Sequence, residues 1–181
     1  MTKKQEQNQE KPKKKRKNSR AKGSTFERKV AKELTAWWGE EFHRVPASGG
    51  LRWGEDNRVV GDIVAPEGSD FPFTIECKKR EGWNFEQLIK GTGEVTSWWL
   101  QAVTDRERLN DVTKHPLLVF SKNRSPEFYM MEYSLWKKFP TLEKNYFITS
   151  FTINNVLHRV VVGFFDELLN VPKQTILDNI A

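Results

Sequence analysis

The chain has 181 residues, enough for one domain with a genuine core and a short tail. It carries 30 basic and 24 acidic side chains, a formal net charge of +6, yet residues 1–22 alone hold ten basic and two acidic ones, which leaves the rest near neutral at −2. A single cysteine excludes a disulfide framework or multi-cysteine zinc site, no apolar run approaches the ~20 residues of a membrane span, and the polar, lysine-rich start is no secretory signal; the expectation is a soluble, cytoplasmic protein.

In chain order, residues 1–22 hold only Met1 and Ala21 as apolar side chains. They cannot bury enough surface to fold and read as a disordered basic arm. Its core is Lys13-Lys14-Lys15-Arg16-Lys17, suited to nucleic-acid phosphates and also similar to a nuclear import signal. The folded domain is expected over residues 23–181. Ser24 and Glu27 have capping-box spacing at a helix start, and Phe26, Val30, Leu34 and Trp37 or Trp38 recur at helical spacing up to Gly39. A short strand ends at Pro46, and the three glycines between Ala47 and Asn57 mark a loop. Val59–Ala65 and Phe71–Lys79 read as paired strands joined by Pro66-Glu67-Gly68. A loop precedes a helix over 94–109. Leu117–Ser121 is a buried strand and Phe128–Glu132 another, with a short helix over Tyr133–Phe139. Strands near Tyr146–Ile153 and Leu157–Val162 lead into a helical Phe164–Leu169. Alternating helices and strands predict an α/β fold with a mixed sheet.

The segment that carries chemistry is Asp62 followed, across the strand pair, by Glu76-Cys77-Lys78. Strand alternation puts Glu76 and Lys78 on one face and Ile75 and Cys77 on the other. Cys77 is therefore a small buried residue, not a nucleophile. Strand pairing brings Asp62 close to Glu76. Two nearby carboxylates repel unless a cation sits between them. Mg²⁺ (with Mn²⁺ as a substitute) is the natural ion, since it takes one or two carboxylates together with phosphate oxygens. An adjacent lysine completes a site for phosphodiester hydrolysis. His43, His115 and His158 lack ligand spacing and read as structural or surface residues.

Four ordered segments carry a resemblance: Lys22–Arg28 on a helix, Arg44-Val45-Pro46-Ala47-Ser48-Gly49-Gly50, Gly61–Ala65, and Ile75–Lys78. Over about Lys22–Ser121 the chain resembles the PD-(D/E)XK nuclease superfamily, and within it the archaeal-type Holliday junction resolvases and their bacteriophage relatives; residues 122–181 lie outside that resemblance. The resemblance implies a restriction-endonuclease-like core: a mixed central β-sheet flanked by helices. It implies that Glu27, Asp62, Glu76 and the Cys77 backbone carbonyl hold the metal, and that Lys78 orients or activates the attacking water. Arg28 and Arg44 would contact phosphate, Ser48 would sit in a loop approaching the scissile strand, and Gln101 would face the site. Gly61 departs from the family, which often has proline before the aspartate.

The implied activity is Mg²⁺-dependent cleavage of DNA, with a four-way junction as substrate. The rivals are a less selective phage nuclease for linear, flapped or single-stranded DNA and a non-catalytic DNA-binding protein that keeps the fold. A junction cut on two symmetry-related strands calls for a homodimer with two sites. Trp98-Trp99 and Phe164-Phe165 offer apolar material for its surface, because adjacent helical side chains diverge by ~100° and are hard to bury in one core.

Overall fold

The computed structural model describes residues 19–45, 60–109, 111–142 and 144–180. The expected arm residues Lys13, Lys14, Lys15, Arg16 and Lys17, the loop residue Ser48 and most of the 46–59 segment's expected features lie outside the described residues. The elements are α1 (Ser19–Trp38), β1 (His43–Arg44), β2 (Ile63–Val64), β3 (Phe73–Lys79), α2 (Phe85–Ile89), α3 (Glu94–Arg108), β4 (His115–Ser121), β5 (Phe128–Glu132), α4 (Tyr133–Trp136), β6 (Phe147–Ile153), β7 (Val156–Phe164), α5 (Phe165–Leu169) and α6 (Lys173–Ile180).

One sheet of seven strands runs through the molecule in the order β1-β2-β3-β4-β5-β7-β6. β3 and β4 are parallel, and every other neighbouring pair is antiparallel. The parallel pair needs a crossover, which α2 and α3 supply on one face. The α/β class and the mixed sheet flanked by helices are as the sequence implies.

Each face has its own core. On one, Phe26, Val30, Leu34 and Trp38 of α1 pack over Ile75, Cys77, Leu117 and Val119, joined by Trp136, Phe165 and Ile176 from α4, α5 and α6. On the other, Val95, Trp98, Trp99 and Ala102 of α3 pack with Trp83 and Leu88 over Leu118, Phe120, Met130 and Val162. Strand residues pass alternately into the two cores, as period-2 geometry requires.

The structure departs from expectation in three places. α1 is already helical at Ser19, ahead of the helix start expected near Gly23. Ser24 sits inside this helix and donates to the Ala21 carbonyl at 3.2 Å, so it does not cap the start and Glu27 is left for other work. Trp98 and Trp99 are both buried in the α3 core, and Phe165 is buried while Phe164 packs against the opposite core. The C-terminal strands and helices extend the sheet far enough to cover them within one chain. α2 and α6 escaped the sequence reading; α2 has only five residues, too few to show a period.

Candidate active site

β3 presents the site because its two faces meet different partners. Glu76 and Lys78 are ladder partners of Leu118 and Phe120, which face α3, whereas Ile75 and Cys77 lie in the α1 core. Glu76 is only 2% exposed. Its Oε1 accepts from Lys78 Nζ, an ion pair in which the lysine is also largely covered.

β2 delivers Asp62 from the neighbouring antiparallel strand. Ile63 pairs with Ile75, and the Asp62 N–H donates to the Ile75 carbonyl at 2.8 Å. The Asp62 Oδ2 accepts the Cys77 N–H at 2.8 Å. An N–H and a C=O of one strand residue point to the same edge, so the Cys77 carbonyl also points toward β2. Gly61 permits this approach. Its φ is +76°, and a Cβ there would collide with the Ile75 carbonyl oxygen. The glycine that departs from the family pattern is thus what the close β2–β3 crossing requires.

Burial drives the electrostatics. Desolvation, then repulsion from Asp62, pushes the Glu76 carboxyl up to about 7 despite the Lys78 ammonium. Asp62 is also raised, first by burial, against the Cys77 N–H and Lys78, with Glu27 and Asp105 adding repulsion. Burial raises the Cys77 thiol well above its ordinary value, as befits an inert core residue.

Asp105 is a charged neighbour of the acidic pair that sequence reasoning missed. It lies on α3, its charge acts on both Asp62 and Glu76, and it pairs with Arg108 at 2.8 Å. The available signal was helical spacing: Asp105 is one turn beyond Gln101, on the same side of α3. Gln101 itself is exposed. On the other flank, Arg44 Nε donates to Glu27 Oε2, tying β1 to α1. The exposed Arg28 shares a shallow cleft of about 330 Å³ with Lys32, His43 and Arg44.

Asp62, Glu76, Lys78 and the Cys77 backbone therefore converge, with Glu27–Arg44 and Asp105 around them. Among the described residues no three His, Cys, Asp or Glu side chains form a ready-made metal cage. Glu27 is turned to Arg44 instead of joining Asp62 and Glu76. The donor set still fits a hard divalent cation. Two buried, mutually repelling carboxylates beside a backbone carbonyl are what such an ion neutralises, and Mg²⁺ needs only one or two protein carboxylates. The histidines stay out of the site: His43 is exposed near Glu41, His115 is half-buried on β4, and His158 Nδ1 accepts from Trp99 Nε1 at 3.2 Å. Among the described residues no helix is long and apolar enough to cross a membrane.

No curated protein and no solved structure matches this chain. The sequence pattern of one family does, across residues 18–178, and so runs through the C-terminal strands and helices beyond Ser121. With the acidic pair on adjoining strands and the lysine two residues after the second acid, the chain belongs to the phage PDDEXK endonuclease family.

Proposed function

We propose that the protein is a divalent-metal-dependent DNA endonuclease, with Mg²⁺ as the working ion, that hydrolyses phosphodiesters in branched DNA. The observation that carries this reading is the buried Asp62–Glu76 pair with Lys78 held against Glu76. Asp62, Glu76 and the Cys77 carbonyl would hold the metal, with Glu27 joining once released from Arg44. When bound, the ion supplies Lewis acidity and charge neutralisation at the phosphate.

The chain's own groups do the rest. Lys78 Nζ, fixed by Glu76, offers an N–H to the oxygen on which negative charge grows as water attacks the phosphorus. Arg44, leaving its ion pair with Glu27, and the exposed Arg28 beside it hold the non-reacting phosphates. The apolar walls of β4 and α3 keep bulk water from the back of the site, which strengthens each of these contacts.

A second reading, a less selective nuclease for linear, flapped or single-stranded DNA, is favoured by one observation. The burial of Trp98 and Trp99 removes the apolar surface on which a two-fold dimer for four-way junctions was expected. Matched junction, flap, duplex and single-strand substrates, cut by one preparation with Mg²⁺ and again with chelator, test both. Paired nicks across a junction and a dimeric mass by light scattering support the branched reading. A monomer that cuts linear DNA as fast as a junction supports the second. Failure to cut any substrate with Mg²⁺ or Mn²⁺ sinks both.

A further inference from the structure

Phe85 is a large apolar side chain left 43% exposed on the sheet face that carries the acidic pair. It opens α2, whose start is held by a reciprocal Asn84–Gln87 capping box. Its ring is buttressed edge-on by Trp83 at 5.5 Å and by Phe128 at 5.3 Å between centroids. Both supports are buried, Trp83 almost completely. The ring is thus rigidly presented and has little ordering entropy left to lose.

Its position relative to the site follows from contacts. Lys78 and Phe120 are ladder partners, about 4.8 Å apart across the strands. The Trp83 ring lies 4.9 Å from Phe120, and Phe85 lies one ring further out. Phe85 therefore stands a few nucleotides' reach from Lys78.

Cations flank it. Lys122 Nζ lies 4.9 Å over the Trp83 ring that supports Phe85. Arg80 follows β3 directly, its N–H bonded to the Ser121 carbonyl, and Arg124 stands in the adjoining β4–β5 turn; both are exposed. Of the acids nearby, Glu86 pairs with Lys90 at 2.6 Å and Glu81 with Lys22 at 3.8 Å and the Asn123 N–H, while the exposed Glu94 lies against Gly82. An exposed ring set among basic groups is complementary to a nucleotide, which offers a π-face and a phosphate together.

Resting on the nuclease reading above, we propose that Phe85 is a stacking platform for an unpaired base of the substrate strand leaving the cleavage site, with Lys122, Arg80 and Arg124 holding its phosphates. A continuous duplex buries its base faces in its own stack and cannot use the platform. The site thereby favours DNA with unpaired nucleotides beside the cut.

The test is binding of a 12-nucleotide oligothymidine and of a 12-base-pair duplex, in Ca²⁺ to hold back cleavage. Phe85→Ala should weaken the single strand about tenfold and the duplex less than about twofold. Phe85→Tyr, which keeps the ring, should retain single-strand affinity and the melting temperature. Replacing Arg80, Lys122 and Arg124 together by alanine should lower the single-strand salt slope by about 2, at about 0.7 per phosphate. Equal loss on both probes, no loss on either, or a wild-type oligomer that dissociates in Phe85→Ala would overturn the platform. Plasmid nicking in Mg²⁺ on the same preparations separates the two ideas. Nicking with normal single-strand binding by Phe85→Ala removes the platform and keeps the nuclease. Single-strand stacking without cleavage keeps the platform and removes the nuclease.

Discussion

Consecutive residues of β3 live in opposite chemical environments. Ile75 and Cys77 lie in the α1 core among Val30, Leu34 and Leu117. Glu76 between them is just as deeply buried, at 2% exposure, but its face carries Lys78, Asp62 and the charge of Asp105. The α1 side is stabilised by apolar burial and close packing. The α3 side of the same strand holds carboxylates that would each be more stable in water. Equal burial on the two faces thus stabilises one and strains the other, and the strained face is the one the proposed cation would relieve. The apolar face supplies the stability against which that strain is held.

The largest effects separate the faces by activity. Glu76→Ala or Asp62→Ala should lower cleavage by about 10³-fold or more and leave DNA binding in Ca²⁺ largely unchanged; Lys78→Ala should cost about 10²–10³-fold. A cleavage assay beside a gel shift checks this, and near-normal cutting by either acid variant would remove the site assignment. Neither acid variant should melt below the wild type in chelator, because the repulsion between Asp62 and Glu76 is relieved.

The opposite face should respond in the opposite currency. Leu34→Ala, in the α1 core and fully buried, should cost about 2–5 kcal/mol in a urea titration while the turnover of the folded fraction stays close to normal. A variant that keeps its stability but loses catalysis would mean the two faces are not separable.

The pH response sharpens the contrast. Glu76 titrates at about 7 in the fold against an ordinary 4.5, and Asp62 is shifted in the same direction. Between those values the folded state binds more protons than the unfolded chain. Metal-free stability is therefore fully supported below about pH 4.5 as far as Glu76 is concerned, and that contribution is lost as the pH rises through about 7, by on the order of 3 kcal/mol. Comparing denaturant midpoints of wild type and Glu76→Gln at pH 5.5 and 8 in chelator isolates it, since the variant should lack this slope. A wild-type slope identical to the variant's would deny the strain on Glu76.

Gly61→Ala probes the joint between the strands. The positive φ and the collision with the Ile75 carbonyl should displace Asp62, so cleavage should fall by at least tenfold, with a stability loss of about 1–3 kcal/mol. Unchanged cleavage would show that Asp62 does not depend on this crossing. The smallest structural effect belongs to the tail: deleting residues 1–17, which spares α1, should leave the melting temperature within a degree or two. It should also reduce the salt slope of duplex binding by roughly four to six, at about 0.9 per phosphate. An unchanged slope would make the tail a solubility or targeting segment.

Local pattern alone determined much of this protein. The Phe26-Val30-Leu34-Trp38 repeat specified α1, the apolar run 117–121 specified a buried strand, and alternation in Ile75-Glu76-Cys77-Lys78 separated the charged face from the core. These are properties of neighbours in the chain, set by the 3.6 and 2.0 periods. Long-range packing decided the rest. Whether Trp98 and Trp99 meet solvent, a second copy or their own chain depends on β5, β7 and the residues that close over α3, far away in sequence. Glu27 fits a capping box by its spacing, but Arg44, brought over by β1, takes it instead. Helical spacing puts Asp105 on the side of α3 that carries Gln101, but only the crossover that lays α3 across β3 brings its charge to Asp62 and Glu76. A side chain's periodicity tells which way it points, but its partner is settled by what the rest of the fold places there.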